Sequence, residues 1–254
     1  MLKFGSTYLN YNGTYLTDRV DPDNPLHLPP YTVRLNFAEG TIPTFSSGTK
    51  TEIGQYSVPG YGTYSNVWDL TYENDNWNRV CIQQSKLNHI LGGNLNGVTS
   101  LDGTFSFCYS LNYVISLDTR TVTNMARTFE ANDNLHTIPL MKTSNVTSTL
   151  SIFNRCVNLS SSPLFDLGNN EIFSDMFHTC SSLTSVPQFN MSAAIATNDM
   201  FYDCSAVRTG IVSLYGQCSA LPNLHWTHGL MFYNCGVGNS SGQAELAQIP
   251  DDWK

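Results

Sequence analysis

The sequence predicts a β-rich fold with a minor helical component: a solenoid of 24-residue coils behind a β-rich N-terminal segment and a capping helix. Three observations predict it. Phenylalanine returns at one interval, at Phe105, Phe129, Phe153, Phe177 and Phe201, each 24 residues after the last. Three residues after each stands Cys108, Asn132, Cys156, Cys180 or Cys204. Three further on stands Leu111, Leu135, Leu159, Leu183 or Val207, and Pro139, Pro163 and Pro187 form a later column. Self-similarity at a fixed period of roughly 20–50 residues marks a repeat array.

The triplet spacing inside a unit has a physical reading. "MFHTCSSLTSVPQFN" (residues 176–190) places Phe177, Cys180, Leu183 and Val186 three apart. That suits neither a several-turn amphipathic helix nor an alternating strand. It suits a chain that turns corners around a core, with one inward residue per short side. Parallel segments of neighbouring coils then lie ~4.8 Å apart, and equivalent side chains stack as ladders. One coil cannot bury its own apolar face, so its neighbours must. Each buried Phe or Leu contributes about 1.5–3 kcal/mol.

Asn132 in the cysteine column is informative. The leucine-rich-repeat consensus carries Asn or Cys at one inward column, where a small polar side chain can bond the backbone at a corner. In this column the coils resemble leucine-rich repeats. Cys108, Cys156, Cys180 and Cys204 read as buried structural thiols. Stacked neighbours fall within disulfide range, so pairing is open, although it would strand Cys108 opposite Asn132. Four Cys could also make a zinc site, but zinc ligands converge and ladder residues sit in a row. No metal and no cofactor is expected.

"MFHTCSSLTSVPQFN", "MFYDCSAV" and "FNRCVNLSSSPLFD" resemble the leucine-rich repeats of BspA-type bacterial surface proteins, from about Gly97 to Gly210 and weakly beyond. The preceding "YTVRLNFAEGTIPTF…NVWDLTYENDNWNRV" is similar to segments that precede such repeats in proteins of gut bacteriophages and prophages. The resemblance implies surface display and adhesion to a ligand or host, without catalysis and without fixing the ligand.

The remaining chain divides in order. Residues 1–30 read as a hairpin around Asn12-Gly13 followed by the stiff "DPDNPLHLPPY" linker, a candidate attachment to a virion. Residues 31–96 read as a β segment plus a capping helix. "YTVRLNF" alternates, with Val33, Leu35 and Phe37 on one face. Residues 40–66 are Gly-, Ser- and Thr-rich and read as loops or short strands. Asn74 or Asp75 is placed to cap a helix running to about Asn88, with Trp77, Val80, Cys81 and Leu87 on one side. Residues 97–254 read as the solenoid, ending in irregular coils: Tyr215, Cys218 and Leu221 replay the triplet out of register, Phe232 and Cys235 follow, and Trp253 covers the last layer.

Composition narrows the partners. The chain has 254 residues, 41% hydrophobic and 13% charged, with net charge −8. There is no basic stripe for nucleic acid, and the acidic balance disfavours an anionic membrane surface. No stretch approaches the ~18 apolar residues of a membrane span, and the N-terminus has no apolar leader. Motifs for chemistry are weak. "GNSSG" (238–242) matches a nucleophile elbow but lies in a Gly/Ser-rich insert without the strand–helix context. His225 and His228 could pair on a metal, but no third ligand is evident. Asp21 and Asp23 lack a calcium-loop pattern. No catalytic residue is assigned.

The candidate binding face is the pair of residues after each Leu column: Asn112 and Tyr113, His136 and Thr137, Ser160 and Ser161, Thr184 and Ser185, Arg208 and Thr209. Rows of hydroxyls and amides suit glycan or protein contact, and equally suit plain solvation. An adhesive repeat without an export signal leads to one expectation: a non-enzymatic bacteriophage virion protein, a tail or head fibre or a decoration protein. It is made in the host cytoplasm, attached to other virion proteins by its N-terminal segment, and contacts a bacterial surface glycan or protein through residues 97–254. Homo-oligomerisation is compatible with this and not dictated by it. The alternative is a bacterial cell-surface adhesin. A glycan depolymerase ranks below both, because it needs a carboxylate pair in a groove and the repeat offers few acids: Asp102, Asp118, Glu130, Asp166 and Asp175.

Overall fold

A computed structural model describes residues 31–224 and 227–254, and the backbone of 7–9 and 15–17. Strands β1 (Thr7–Leu9) and β2 (Tyr15–Thr17) pair antiparallel, Leu9 opposite Tyr15. The Asn12-Gly13 turn and the Pro-rich linker expected around them lie outside the described residues, as do Asp21, Asp23 and His225.

The architecture is β-rich with an open sheet. β3 (Tyr31–Phe37), β4 (Thr49–Val58), β5 (Gly62–Tyr72), β6 (Leu87–Asn94) and β7 (Tyr113–Val114) are ordered β4-β5-β3-β6-β7. The alternation in "YTVRLNF" gives β3, and Val33, Leu35 and Phe37 are buried as its period requires. Residues 40–66 differ from the loops or short strands expected there. Most of them form the long β4–β5 hairpin, whose tip is a Pro-Gly turn: Tyr61 N–H donates to Val58 C=O at 3.0 Å, and Gly60 has φ +80°. Proline at the second position and a left-handed glycine at the third define a type II turn. β3 and β5 are further tied by the bidentate Arg34–Asp69 pair at 2.6 and 2.7 Å.

The expected capping helix over 74–88 is absent. Arg79 and Gln83 take φ +58° and +60°, and no L-residue helix tolerates that. The N–H groups of Trp77, Arg79, Cys81 and Gln83 bond forward to Ser100, Asp102, Thr104 and Ser106. The segment is therefore a first copy of the repeating unit, with Cys81 where later units carry Phe. The apolar pattern that suggested a helix is the inward pattern of a unit. β3 and β5 lie beyond it and cover that end.

Later units stack on the first at 24-residue steps. One line of parallel bridges runs Asn76, Ser100, Asn124, Ser148, Ile172, Ala196. A second begins at β6–β7 (His89 with Tyr113) and continues from Tyr113 to Thr137, and Ser185 with Thr209. On this line the N–H groups of Asn112, His136, Ser160, Thr184 and Arg208 each donate to the carbonyl 24 residues back. The N-terminal sheet thus runs into the units without a break. Between the two lines each unit makes a turn run with two left-handed residues four apart: Arg127 and Ala131, Ser151 and Arg155, Asp175 and Thr179, Asp199 and Asp203, at φ 53–62°. This alternation sends every second N–H to the next unit, as from Phe129 to Ile152 C=O. The intervening N–H groups close local turns, as from Thr128 to Met125 C=O. These two sets of bonds pair the backbone of the turn runs, as burial demands.

The phenylalanines stack face to face: 105 on 129, 129 on 153, 153 on 177, 177 on 201, with centroids 5.3–5.9 Å apart. The C-terminal part departs from the triplet expectation. Tyr215 and Cys218 lie on a helix, α1 (Ile211–Cys218), which buries Ile211, Leu214 and Cys218. Gly210 opens it at φ +98°, where a Cβ would lie 2.7 Å from Val186 C=O. After this insertion Phe232 rejoins the ladder, 5.8 Å from Phe201. "GNSSG" is the start of α2 (Ser240–Leu246), where Asn239 caps by accepting from Gly242 N–H at 2.9 Å. Glu245 reaches back to accept from Ile211 N–H at 2.7 Å. Trp253 is buried against His228, rings parallel and 3.8 Å apart.

Candidate binding row and tyrosine groove

The ladder residues are core. Phe105, Phe129, Phe153, Phe177, Phe201, Cys108, Asn132, Cys156, Cys180 and Cys204 are all fully buried. The cysteine column has one bonding rule. Each thiol donates to the carbonyl 27 residues back: Cys108 to Cys81, Cys156 to Phe129, Cys180 to Phe153, Cys204 to Phe177, with Sγ–O of 3.0–3.4 Å. Asn132 Nδ2 does the same to Phe105 C=O at 3.0 Å, and its Oδ1 accepts from Cys108 N–H at 2.8 Å. All seven cysteines are free thiols. Burial pushes Cys108, Cys156 and Cys218 up to about 12, so these are protonated, unreactive groups. Among the described residues no cluster of His, Cys, Asp and Glu could hold a metal.

The ten residues of the expected face lie along the second bridge line. Asn112 is half-buried; Tyr113, His136, Thr137, Ser160, Ser161, Thr184, Ser185, Arg208 and Thr209 are exposed. The unit-to-unit bonds fix their backbone, so the side chains form two parallel rows. His136 Nδ1 donates to Asn134 C=O at 2.6 Å, and Thr184 Oγ1 donates to Ser160 C=O at 3.2 Å. Arg208 is the one charged member.

At the N-terminal end the row enters a groove of about 500 Å³ between the β4–β5 tip and the first units, lined by Tyr61, Tyr64, Tyr113, Thr137, Ile138 and Pro139 over a floor of Val114 and Ile115. His89 builds it. Its ring stacks on Tyr113 at 4.6 Å and meets Tyr64 edge-on at 5.1 Å. Asn36 Nδ2 donates to Ser65 C=O at 2.6 Å, which turns Asn36 Oδ1 toward His89 Nδ1, 2.7 Å away. Oδ1 only accepts, so Nδ1 carries the proton. Burial lowers the His89 pKa, which favours the neutral ring. The Tyr64 hydroxyl is pushed up, first by burial and then by the neighbouring Tyr113 and Tyr61 hydroxyls; the three converge.

Sequence reasoning found Tyr113 and Thr137 but missed Tyr61, Tyr64 and His89, which lie outside the Phe-centred columns it followed. The Pro-Gly in "VPGYGTY" was the available signal: a tight turn flanked by tyrosines. It also missed a second surface on the turn runs, where His178, Tyr202 and Tyr233 stack at 4.7 and 4.6 Å. Nearby, burial raises the carboxyls of Glu130, Asp175 and Asp199.

A family model described as "Mycoplasma protein of unknown function, DUF285" matches residues 77–214, more than half of the chain. The match starts at Trp77, where the first structural unit starts. No curated protein and no solved structure matches.

Proposed function

The chain belongs to the DUF285 family, a repeat family related to BspA-like surface proteins, and from that premise we propose that it is a non-enzymatic recognition protein. Its stacked units form a leucine-rich-repeat-like solenoid that displays the row from Asn112 to Thr209 toward a bacterial surface glycan or protein. The observation that carries this reading is the row itself: paired outward residues in successive units, on a backbone held unit to unit. Such a surface offers many modest hydrogen bonds at little ordering cost. Among the described residues no helix is long and apolar enough to cross a membrane.

The carrier we propose is a bacteriophage particle, as a tail or head fibre or decoration protein attached through the N-terminal segment. The resemblance of the segment before the repeats supports it. The second reading, a bacterial cell-surface adhesin, is favoured by the family's relation to surface proteins. Immunogold electron microscopy of a lysate of the source culture, with antibody against residues 97–254, separates them. Gold on tails or heads is the expected result. Gold on cell envelopes beside bare particles would retire the virion reading and leave the adhesin.

A further inference from the structure

We propose that the groove between the β4–β5 tip and the first units is a saccharide site for uncharged sugar residues; this deepens the recognition reading above and rests on it. Three observations carry the ligand class. The first is the lining. Among the described residues it holds no Asp, Glu, Lys or Arg, so a charged ligand would lose water with no opposite charge to receive it. The net charge of −8 further repels anionic sugars.

The second is the tyrosine arrangement. His89 covers one face of the Tyr113 ring, and the next residue along that row is Thr137. Thr137 on that next rung is short, so the outer part of the second Tyr113 face is left to border the groove as an apolar platform. Tyr61 stands 59% exposed across from it. A pyranose ring has an apolar C–H face that packs on such a platform and hydroxyls around its rim.

The third is the kind of polar group available. Tyr61, Tyr113 and Thr137 supply hydroxyls, which both donate and accept, as sugar hydroxyls do; the Tyr64 hydroxyl donates to Tyr61 C=O at 3.4 Å and offers its oxygen as an acceptor. The backbone here is engaged between units, through the Tyr113–Thr137 bridge and the bond from Ile115 N–H to Ile90 C=O. A peptide cannot add as a further strand at this place. Beyond the groove the row continues with Ser161, Ser185 and Thr209, so a longer neutral chain finds hydroxyls on its way.

The test uses the full chain and isothermal titration with neutral tetrasaccharides of glucose, galactose, mannose and N-acetylglucosamine, with oligouronates and decaproline in parallel. Saturable binding of at least one neutral tetrasaccharide is expected. Tyr64→Phe keeps the ring and loses one hydroxyl, so binding weakens about three- to tenfold. Tyr113→Ala removes the platform and weakens it by about tenfold or more. Ser144→Ala, exposed and outside both the groove and the row, stays within about twofold of the parent. Thermal melts confirm that each variant is folded, and Tyr64→Phe keeps the test decisive if Tyr113→Ala is not. No binding of any neutral sugar, tighter binding of oligouronates, decaproline competing for the groove, or sugar binding indifferent to both tyrosine changes would each overturn the assignment. Adsorption to bacterial envelopes separates the two levels. Envelope binding by a chain that binds no neutral sugar ends the groove proposal and spares the recognition reading. Intact sugar binding without envelope adsorption does the reverse.

Discussion

Asn132 and Phe105 are joined by an amide-to-carbonyl hydrogen bond of 3.0 Å, in the place where four other units join a thiol to the carbonyl 27 residues back. The column thus selects a small donor that reaches one buried backbone oxygen. Asn132 differs in also accepting from Cys108 N–H, whereas Cys156, Cys180 and Cys204 N–H bond locally to the phenylalanine three residues before.

Asn132→Ala removes both bonds inside a fully buried site, and stability should fall by about 2–3 kcal/mol. Asn132→Cys lets the unit take the pattern of its neighbours, so it should stay within ~1 kcal/mol of the parent. Urea unfolding measures both. Equal losses in the two variants would show that the donor does not matter.

The thiols make the fold sensitive to alkali. The ordinary thiol pKa is 9.0, and burial holds Cys108, Cys156 and Cys218 at about 12. Above pH 9 the unfolded chain loses these protons while the folded chain keeps them, so stability falls as pH rises. Each thiol contributes a slope of about 1.4 kcal/mol per pH unit, and three give about 4. Denaturation midpoints between pH 8 and 10.5 should drop steeply, with a shallower slope in Cys218→Ala. Native protein at pH 8 should also resist iodoacetamide; fast alkylation of a ladder cysteine would contradict its burial.

Phe177 touches a ring on either side, Phe153 at 5.5 Å and Phe201 at 5.3 Å. Truncation opens a cavity shared by two interfaces, and Phe177→Ala should cost about 3–5 kcal/mol. A loss below ~1 kcal/mol in urea melts would be incompatible with a stacked core.

Left-handed backbone offers a change of opposite sign. Arg155 is exposed at φ +62°, a conformation that costs a side-chain-bearing residue about 1–2 kcal/mol and glycine almost nothing. Arg155→Gly should therefore stabilise the protein by about 1 kcal/mol. Gly103→Ala, at the other left-handed position of a turn run, in the column of Arg127 and Ser151 and with φ +62°, should destabilise it by a similar amount. Thermal melts read both.

What was legible in the sequence follows from what repeats. Phe105 to Phe201 and their cysteines could be placed because stacking makes each position answer to the same position in the next unit. The strand over 31–37 could be placed because apolar Val33, Leu35 and Phe37 alternate with polar Thr32, Arg34 and Asn36. The segment over 74–88 misled because Cys81 replaces the phenylalanine, and apolar residues at 77, 80, 81 and 87 satisfy a helix as well as a corner-turning chain. Only the left-handed Arg79 and Gln83 decide between these, and neither residue type announces that conformation. Phe232 was hidden by the insertion that carries α1, which shifts the count by 7 residues, from 24 to 31. The groove was half visible: Tyr113 and Thr137 sit in the period, whereas Tyr61, Tyr64 and His89 reach it through sheet pairing that no local pattern encodes.

The groove draws on the hairpin tip and the earliest units alone, while the row continues through every later one. Whole 24-residue units can therefore be gained or lost downstream without disturbing the pocket, since each new unit meets its neighbours through the same bridges. Grip and reach become separately heritable: the pocket can stay constant while the length of the arm beyond it changes in fixed steps.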